Sequence, residues 1–292
     1  MSYSVSETLR SQSALTQSDK THYRNHHMPA QVITVTSGKG GVGKTTAVAN
    51  LAVALASNGS KVVCIDGDIG LRNLDVILGL ENRIVYDIVD VIEGRCRLKQ
   101  AMIRDKKLPN LYLIPAAQTR DKNAVSPSDM NRLIKELRPD YDFVLIDSPA
   151  GIERGFRNAI AAADRVLVVT NPEVSAVRDA DRVIGILEAE EKGPAALIIN
   201  RLNPNLVKNH DMLSADDVLD LLAVELIGVV PEDENVIIGS NRGAPVAYDT
   251  KSKAGQAFRN IARRLKGETV PFLDLESQGS LWERLQRLAG RK

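Results

Sequence analysis

The sequence predicts a single α/β domain, with a mostly parallel, twisted sheet and helices on both of its faces. Short apolar runs rich in Val, Ile and Leu alternate along the chain with segments whose apolar residues recur at helical spacing. Runs that are apolar at every position are typical of strands buried on both faces, as in parallel sheets. The repeated order of strand and helix requires crossover connections, which are right-handed, so we expect an open sheet covered on both faces.

Seven apolar runs are the predicted strands, and four segments between them are the predicted helices. The strands are residues 31–37, 61–66, 111–115, 143–147, 165–170, 195–200 and 225–230. The helices are residues 45–58, which end in Asn-Gly, 128–137, which follow a Ser-Pro turn, 177–190 and 214–223.

Composition bounds the domain organisation. With 292 residues, of which 43% are hydrophobic, the chain can bury a full core, and one domain over residues 31–270 is expected. Residues 1–30 are rich in Ser, Thr, Gln and His, so we expect a disordered N-terminal extension. Residues 271–279 read as a linker to a last segment, 280–292.

Charge, cysteines and hydropathy exclude several classes of protein. Lys and Arg number 38 against 37 acidic residues, so the net charge of +1 gives no reason to expect nucleic-acid binding. Cys64 and Cys96 lack CxxC spacing, which argues against a disulfide scaffold, a zinc site or a cysteine-ligated cluster. No apolar run approaches the roughly 18 to 20 residues of a membrane-spanning helix. We expect a cytoplasmic protein, either soluble or peripheral on a membrane.

A glycine-rich motif lies between the first predicted strand and the first predicted helix. Residues 38–45 read GKGGVGKT and fit the pattern G-x-x-x-x-G-K-[ST]. Glycines let backbone N–H groups point at phosphate oxygens, and the following helix adds its positive N-terminal dipole. The motif predicts a P-loop, with Lys44 at the β and γ phosphates of a nucleotide and Thr45 at Mg²⁺. The predicted nucleotide contacts here are Gly38, Lys39, Gly40, Gly41, Val42, Gly43, Lys44, Thr45 and Thr46.

Aspartates mark the ends of two predicted strands. Asp66 and Asp68 follow one strand and Asp147 ends another. Because ligands in open α/β sheets bind at the carboxyl ends of strands, we expect these carboxylates to face the phosphates. Asp66 and Asp147 are predicted to hold Mg²⁺ together with Thr45. A turn or a helix cap is the alternative for each aspartate.

The predicted chemistry is ATP hydrolysis that depends on Mg²⁺. No nucleophile other than water is evident, so we expect Asp68 to position a water while Lys44, Mg²⁺ and one further cation stabilise the γ-phosphoryl group. Lys39, five residues before Lys44, is the candidate for that cation. A solvated loop lysine is the alternative.

The loop resembles that of the deviant Walker A ATPases, the MinD/ParA family, whose KGGxGK[ST] form occupies residues 39–45. Residues 68–94, 145–160 and 172–187 resemble the stretches that distinguish the MinD branch, the division-site ATPases of bacteria and plastids. The resemblance extends from about residue 31 to the C-terminus. One departure is Gly67, where the wider superfamily often has alanine, and we expect it to loosen the surrounding loop.

The resemblance implies how the site is completed. In such proteins two ATP-bound subunits pair face to face, and the lysine equivalent to Lys39 contacts phosphate in the opposite subunit. It also implies that Asp66 and Asp68 belong to switch I, that Asp147 heads switch II, and that Glu153 lies near the nucleotide at the dimer face. It also implies that Asn200 and Arg201, after the sixth strand, bracket adenine together with the loop at Pro231.

The resemblance further implies partners. The segment VSAVRDADR resembles the region through which MinD-type ATPases contact a MinC-like division inhibitor and a MinE-like ATPase activator. Asp179 and Asp181 are the candidate contacts, and a solvated helix face is the alternative. The implied function is an ATP-dependent homodimer that positions the division septum from the inner face of the cell membrane.

The C-terminal segment 280–292 predicts an amphipathic helix. Five apolar side chains, the last of them Ala289, share one helical face, and polar, mostly basic residues occupy the remainder or follow it. Trp and Leu beside basic residues suit a helix lying in an anionic membrane interface, and a terminal helix docked on the domain is the alternative. The predicted membrane contacts are Leu281, Trp282, Leu285 and Leu288.

Other functions are weighed against this one. Flagellar-number regulators of the FlhG/FleN type share the loop and an amphipathic tail, but they tend toward DTAAG where residues 147–151 read DSPAG. A ParA-type DNA-partitioning ATPase conflicts with the balanced charge. A small-molecule kinase or ligase would need an acceptor pocket that is not evident, and reductases or cluster carriers would need a cysteine pair.

Overall fold

The computed structural model describes residues 29–120 and 124–275, which contain one eight-stranded sheet. In chain order the strands are β1 (Gln31–Thr36), β2 (Val62–Asp66), β3 (Ile103–Arg104), β4 (Leu111–Ile114), β5 (Phe143–Asp147), β6 (Arg165–Thr170), β7 (Ala195–Leu202) and β8 (Glu225–Pro231). Their order across the sheet is β3-β4-β2-β5-β1-β6-β7-β8. All neighbouring pairs are parallel except β3 and β4, so the predicted mostly parallel sheet is confirmed.

Helices connect the strands. They are α1 (Lys44–Ser57), α2 (Leu74–Leu78), α3 (Ile88–Ile92), α4 (Leu98–Ala101), α5 (Pro127–Leu137), α6 (Arg154–Ile160), α7 (Val174–Ala189), α8 (Pro204–Lys208), α9 (Ala215–Leu222), α10 (Glu234–Asn241) and α11 (Lys253–Leu265). Side-chain caps begin several of them: Ser126 accepts a hydrogen bond from the N–H of Asp129, and Ser214 accepts one from the N–H of Asp217.

The core fills both faces of the sheet. Helices α1 and α11 pack on one face, with alternate strand residues such as Ile33 and Val35. Helices α5, α6, α7 and α9 cover the other face, with neighbours such as Val32 and Val166. Strands β2 and β5 are buried along their whole length, which explains why their sequences are apolar on both sides.

All seven predicted strands are present, and the four predicted helices exist within a few residues of their expected bounds. The largest shift is in α7, which begins at Val174 rather than at 177. The short strand β3 and helices α2, α3, α4, α6, α8, α10 and α11 were not predicted. Most of these are eight residues or fewer, too short for a periodic pattern to appear. Helix α11 is different, because its buried Ala254, Phe258 and Ile261 do follow a helical period.

Two predicted regions fall outside the described residues. These are most of the N-terminal extension, residues 1–28, and the C-terminal residues 276–292 with the expected membrane contacts Leu281, Trp282, Leu285 and Leu288. Within the part of the chain that the structure describes, no helix is both long enough and apolar enough to span a membrane.

Candidate nucleotide site

The glycine-rich loop runs from the end of β1 into α1, as predicted. Its last glycine, Gly43, has φ 99° and stands directly before the first turn of α1. A Cβ at this position would lie 2.4 Å from Nδ2 of Asn200. Both the positive φ and this close approach require glycine, so the loop can curl only because the side chain is absent. The backbone N–H groups at the start of α1 are thereby left for an anion.

Two asparagines from neighbouring strands fix the loop from behind. Nδ2 of Asn200 donates to the carbonyl oxygen of Val42 at 2.8 Å. Exchanging the amide oxygen and nitrogen of Asn171, which lies directly after β6, lets its nitrogen donate to the carbonyl oxygens of Val42 and Asn200 at 3.2 Å each. Both side chains are 7% exposed. Asn171 was not predicted; its one sequence signal is a polar residue at the carboxyl end of a buried strand.

Strand order brings two predicted carboxylates to this loop. Strand β5 lies between β1 and β2, and Asp147 of β5 is the register partner of Asp66 of β2. Both carboxylates therefore stand at the carboxyl edge of the sheet, next to the strand that leads into the loop. The prediction that strand-end aspartates converge on the phosphate site agrees with this placement.

Asp147 is buried beside the first turn of α1. It is 2% exposed, and the hydroxyl of Thr45 donates a hydrogen bond to it. Burial raises the pKa of Asp147 well above its ordinary value, and the nearby charge of Asp66 raises it further; Thr45 and Lys44 act in the opposite direction. Among the described residues, Oδ1 of Asp147 has no hydrogen-bond partner. A bound cation would satisfy this buried oxygen.

Asp66 organises the loop that follows β2. Its Oδ1 accepts a hydrogen bond from the N–H of Asp68 at 3.0 Å, and its Oδ2 accepts from the N–H groups of Asn73 and Leu74 at 3.2 Å. Burial raises the pKa of Asp66 to about 6, although these backbone donors lower it. The loop 67–73, here called the switch I loop, is thus held in shape by one carboxylate.

Gly67 brings the switch I loop against β5. Its N–H donates to the carbonyl oxygen of Asp147 at 2.9 Å, and a Cβ at this position would lie 2.7 Å from that oxygen. Alanine would push the loop away from the strand. The glycine therefore permits a closer contact here, beyond the loosening that the sequence suggested.

Lys44 provides the positive charge of the site. It is 8% exposed, and burial lowers the pKa of its ammonium group, while the charges of Asp147 and Asp68 raise it. Burying an ammonium group is costly unless it is compensated. A bound phosphate would supply the missing negative charge, which agrees with the predicted role of Lys44.

The residues present fit a Mg²⁺ ion bound together with phosphate. Thr45 and Asp147 offer hydroxyl and carboxylate oxygens, the ligands that Mg²⁺ prefers, and Oδ1 of Asp147 is unpaired within the described residues. No group of three or more His, Cys, Asp or Glu side chains is arranged for a metal in this part of the chain. Such a group is not needed, because Mg²⁺ is usually held by one or two carboxylates, waters and phosphates.

Lys39 differs from Lys44 in its surroundings. Its side chain is 45% exposed; Nζ donates to Oγ of Ser175 at 3.3 Å and lies 3.9 Å from Oε2 of Glu173. Exposed ion pairs of this kind contribute about 0 to 1 kcal/mol. Lys39 therefore rests on the surface at the start of α7, where a stronger anion could displace these contacts.

The remaining predicted contacts lie at the same edge of the sheet. The sixth predicted strand was expected to end at Asn200, with Arg201 beyond it, but β7 continues to Leu202 and contains both residues. The strand continues because pairing with β8 resumes at Leu202, opposite Pro231, after an irregularity in register. Arg201, at φ 58°, occupies that irregularity.

The other predicted contacts are Glu153, before α6, and two residues of helix α7. Glu153 is the residue directly before α6. Asp179 of α7 touches the P-loop through its backbone: a Cβ at Gly38 would lie 2.1 Å from the carbonyl oxygen of Asp179. Asp181, two residues further along α7, is exposed. The helix with the candidate partner residues is therefore in direct contact with the nucleotide loop.

This combination of fold, phosphate loop and strand-end carboxylates defines the class of the P-loop ATPases, and the second lysine places the loop in its deviant Walker A form. The AAA domain family matches residues 30–193. The septum site-determining protein MinD of Synechocystis sp. is 54% identical over 259 residues, which cover 88% of this chain and 97% of that protein. The chain belongs to the MinD family of septum site-determining proteins, and the predicted resemblance is confirmed.

Solved structures agree with this membership. The MinC:MinD cell division protein complex of Aquifex aeolicus is similar with a TM-score of 0.79 and 49% identity, covering 84% of this chain and 99% of that chain. The septum site-determining protein MinD complexed with Mg-ADP from Pyrococcus horikoshii has a TM-score of 0.73 and 33% identity, over 81% of this chain and 96% of that chain.

The hydrogen bond from Asn200 to Val42 leads to a testable expectation. In Asn200→Ala the carbonyl oxygen of Val42 loses a donor, and the loop loses its contact behind Gly43. A buried hydrogen bond contributes about 1 kcal/mol, so we expect ATP affinity, measured by calorimetric titration, to fall by about fivefold or more. Asn205→Ala, at an exposed position of α8, is the matched control and should bind normally. Unchanged affinity in Asn200→Ala would contradict this account of the loop.

Proposed function

We propose that this protein hydrolyses ATP with Mg²⁺ and uses the hydrolysis cycle to place the division septum from the membrane surface. One observation supports this above all: the loop has one lysine buried in its own site, Lys44, and one exposed at its surface, Lys39. A loop with both is suited to join two nucleotide sites. In this proposal ATP-bound subunits pair, attach to the membrane, recruit a division inhibitor and separate after hydrolysis.

The proposed hydrolysis uses groups within one subunit first. Backbone N–H groups of the loop and Lys44 bind the β and γ phosphates, and Asn200, Arg201 and Pro231 contact adenine at the edge formed by β7 and β8. Thr45, Asp66 and Asp147 would hold Mg²⁺, which would neutralise phosphate charge, and Asp66 also shapes the loop beside them. Asp68 orients the attacking water, since it follows the end of β2 and its charge acts on Lys44.

The second subunit supplies the remaining charge in this proposal. Lys39 leaves its weak contacts with Ser175 and Glu173 and reaches the phosphates of the facing subunit. Glu153, before α6, lies at the same face. Because the γ-phosphoryl group gains stabilisation only when both subunits are present, hydrolysis depends on dimerisation.

Partners are proposed from the relatives and from the position of α7. The related Aquifex aeolicus protein is described in a complex with MinC. We assign a MinC-like inhibitor and a MinE-like activator to α7, through Asp181 on its exposed side and Asp179 next to the P-loop. The contact between Asp179 and Gly38 makes this helix responsive to the nucleotide loop. The balanced charge of the chain supports no role for nucleic acid.

Membrane attachment is proposed to follow from dimerisation through the C-terminal segment. Burying one apolar side chain contributes about 1.5 to 3 kcal/mol, and the ordering of the segment offsets part of it. One copy of Leu281, Trp282, Leu285 and Leu288 therefore binds weakly. Two copies in one dimer make the second insertion intramolecular, which raises avidity by about 10²- to 10⁴-fold.

The variant Lys39→Ala tests the link between dimerisation and attachment. We expect it to bind ATP through Lys44 but to remain monomeric and unbound to membrane, because the proposed contact across the dimer is lost. Light scattering and co-sedimentation with anionic liposomes, each in ATP, measure the two effects. Lys135→Ala, at an exposed site on α5, is the charge-matched control. ATP-dependent dimers of Lys39→Ala would refute the assignment.

The variant Asp68→Ala tests the positioning of water. We expect ATP binding and membrane attachment to persist while turnover falls by about 10²-fold or more, since general-base and positioning groups contribute roughly that much. Phosphate release with and without the activator is the measurement. Asp220→Ala, on the exposed side of α9, should hydrolyse ATP normally. Activator-stimulated turnover at the wild-type rate in Asp68→Ala would exclude this role.

Truncation before Leu281 tests the membrane segment. The shortened chain keeps the whole described domain, so we expect ATP binding and dimerisation to remain while co-sedimentation with anionic liposomes in ATP is lost. Replacing Glu283 by Gln in the full chain is the control, because it leaves the apolar face intact. If the truncated chain sediments with liposomes as much as the full chain does, the proposed membrane role of the C-terminal segment is wrong.

A further inference from the structure

The last described residues of the chain cross the edge of the sheet. After α11 ends at Leu265, residues 270–275, here called the edge segment, lie beside β8, the outermost strand. Leu273 packs against the core cluster that α1 and α11 share, and Leu275 packs against the cluster on the opposite face, with α7 and α9. The edge segment therefore passes from one face of the sheet to the other at β8.

One side chain, that of Arg264 in α11, holds the edge segment against the domain. Its Nε donates to the carbonyl oxygen of Val270 at 3.0 Å, and its Nη2 donates to that of Pro271 at 2.9 Å. Its Nη1 donates to the carbonyl oxygen of Ile227 in β8 at 2.8 Å. The ring of Phe272 lies over the guanidinium group, with 4.1 Å between the ring centroid and Cζ. Arg264 thus joins a helix, a strand and the edge segment.

This set of contacts is specific to arginine. A guanidinium group is planar and presents five N–H donors in a fixed fork, whereas an ammonium group has three donors at one point. Hydrogen bonds from a charged donor are about twice as strong as neutral ones, and the aromatic face adds a cation–π contact. Apolar packing of the segment is weaker, since Phe272 is 49% exposed and Leu273 and Leu275 are only partly buried. The edge segment therefore depends on Arg264.

We propose that Arg264 is a positioning residue for the C-terminal segment: it fixes where the chain leaves the domain and how far the membrane contacts can lie from it. Five residues, 276–280, separate the edge segment from Leu281. Without the contacts of Arg264, the count begins after Leu265 and rises to fifteen, residues 266–280. An extended chain spans at most about 3.6 Å per residue, so the limit rises from about 18 Å to about 54 Å.

The consequence for membrane attachment rests on the proposed function. When one C-terminal segment of a dimer is inserted, the effective concentration of the second falls roughly as the −3/2 power of the tether length. A tether about three times longer therefore lowers the avidity by about fivefold. By holding the edge segment, Arg264 keeps the tether short and strengthens the attachment of the dimer without contacting nucleotide or lipid.

Cleavage by chymotrypsin after Phe272 tests the contacts themselves, on the full chain without membrane. A held segment must open locally before it is cut, so loss of the contacts speeds cleavage. We expect Arg264→Ala and Arg264→Lys each to be cut about tenfold faster or more, the effect of at least one charged hydrogen bond. Mass spectrometry identifies the site. Arg263→Ala is the matched control, because Arg263 carries the same charge, is exposed and pairs with Glu268, and it should be cut at the wild-type rate.

Co-sedimentation with anionic liposomes in ATP measures the effect on attachment. We expect Arg264→Ala to need about fivefold more lipid for half-maximal sedimentation, while its ATP affinity, measured by calorimetric titration, is unchanged. A second variant keeps Arg264 and carries ten Gly and Ser residues inserted after Leu275, which gives a tether of the same length as in Arg264→Ala. It should weaken attachment to the same extent. Because the insertion leaves the domain intact, agreement between the two variants separates tether length from a loss of stability.

The outcomes that contradict the proposal are distinct. Unchanged cleavage after Phe272 in Arg264→Ala, or sedimentation of either Arg264→Ala or the insertion variant at the wild-type level, overturns it. A wild-type chain that does not sediment in ATP counts against the proposed function alone, because the cleavage rates are measured without membrane.

Discussion

The position of β5 between β1 and β2 is the constraint on which the site depends. It sets the carboxyl end of β5 beside the P-loop and makes Asp147 the register partner of Asp66. A chain that paired β1 directly with β2 would leave Asp147 one strand further from Lys44. The strand order therefore decides which carboxylate faces the first turn of α1, and the hydrogen bond from Thr45 to Asp147 follows from it.

This strand order brings together charged side chains, those of Lys44, Asp66 and Asp147, whose burial disfavours their ionised forms. Burial shifts the pKa of Lys44 downward and the pKa values of Asp66 and Asp147 upward, so each buried group is pushed toward its neutral form. Proteins keep such groups where a ligand of complementary charge completes them. Phosphate beside Lys44 and a cation beside Asp147 would favour the ionised forms and so oppose these shifts.

Much of the fold could be predicted because its central strands are buried on both faces and are therefore apolar throughout. The P-loop could be predicted because its backbone shape requires glycines at fixed spacing. Asn171 could not, since its role depends on residues brought near only by folding. Asn200 was predicted only through the family resemblance, because its hydrogen-bond partner Val42 lies 158 positions away in the sequence. Helix α11 was open to prediction, because its buried residues follow a helical period.

The contact between Gly38 and Asp179 has a thermodynamic consequence. Because Gly38 has no side chain, the first residue of the P-loop packs directly against the backbone of α7, and a ligand that moves one would disturb the other. A molecule that binds α7 and a nucleotide that binds the loop then act on one shared arrangement. Such coupling is reciprocal. If bound nucleotide changes the affinity of α7 for a partner by some factor, a partner bound to α7 changes the affinity for nucleotide by the same factor. The close contact at Gly38 thus links the binding equilibrium at α7 to the binding equilibrium at the P-loop.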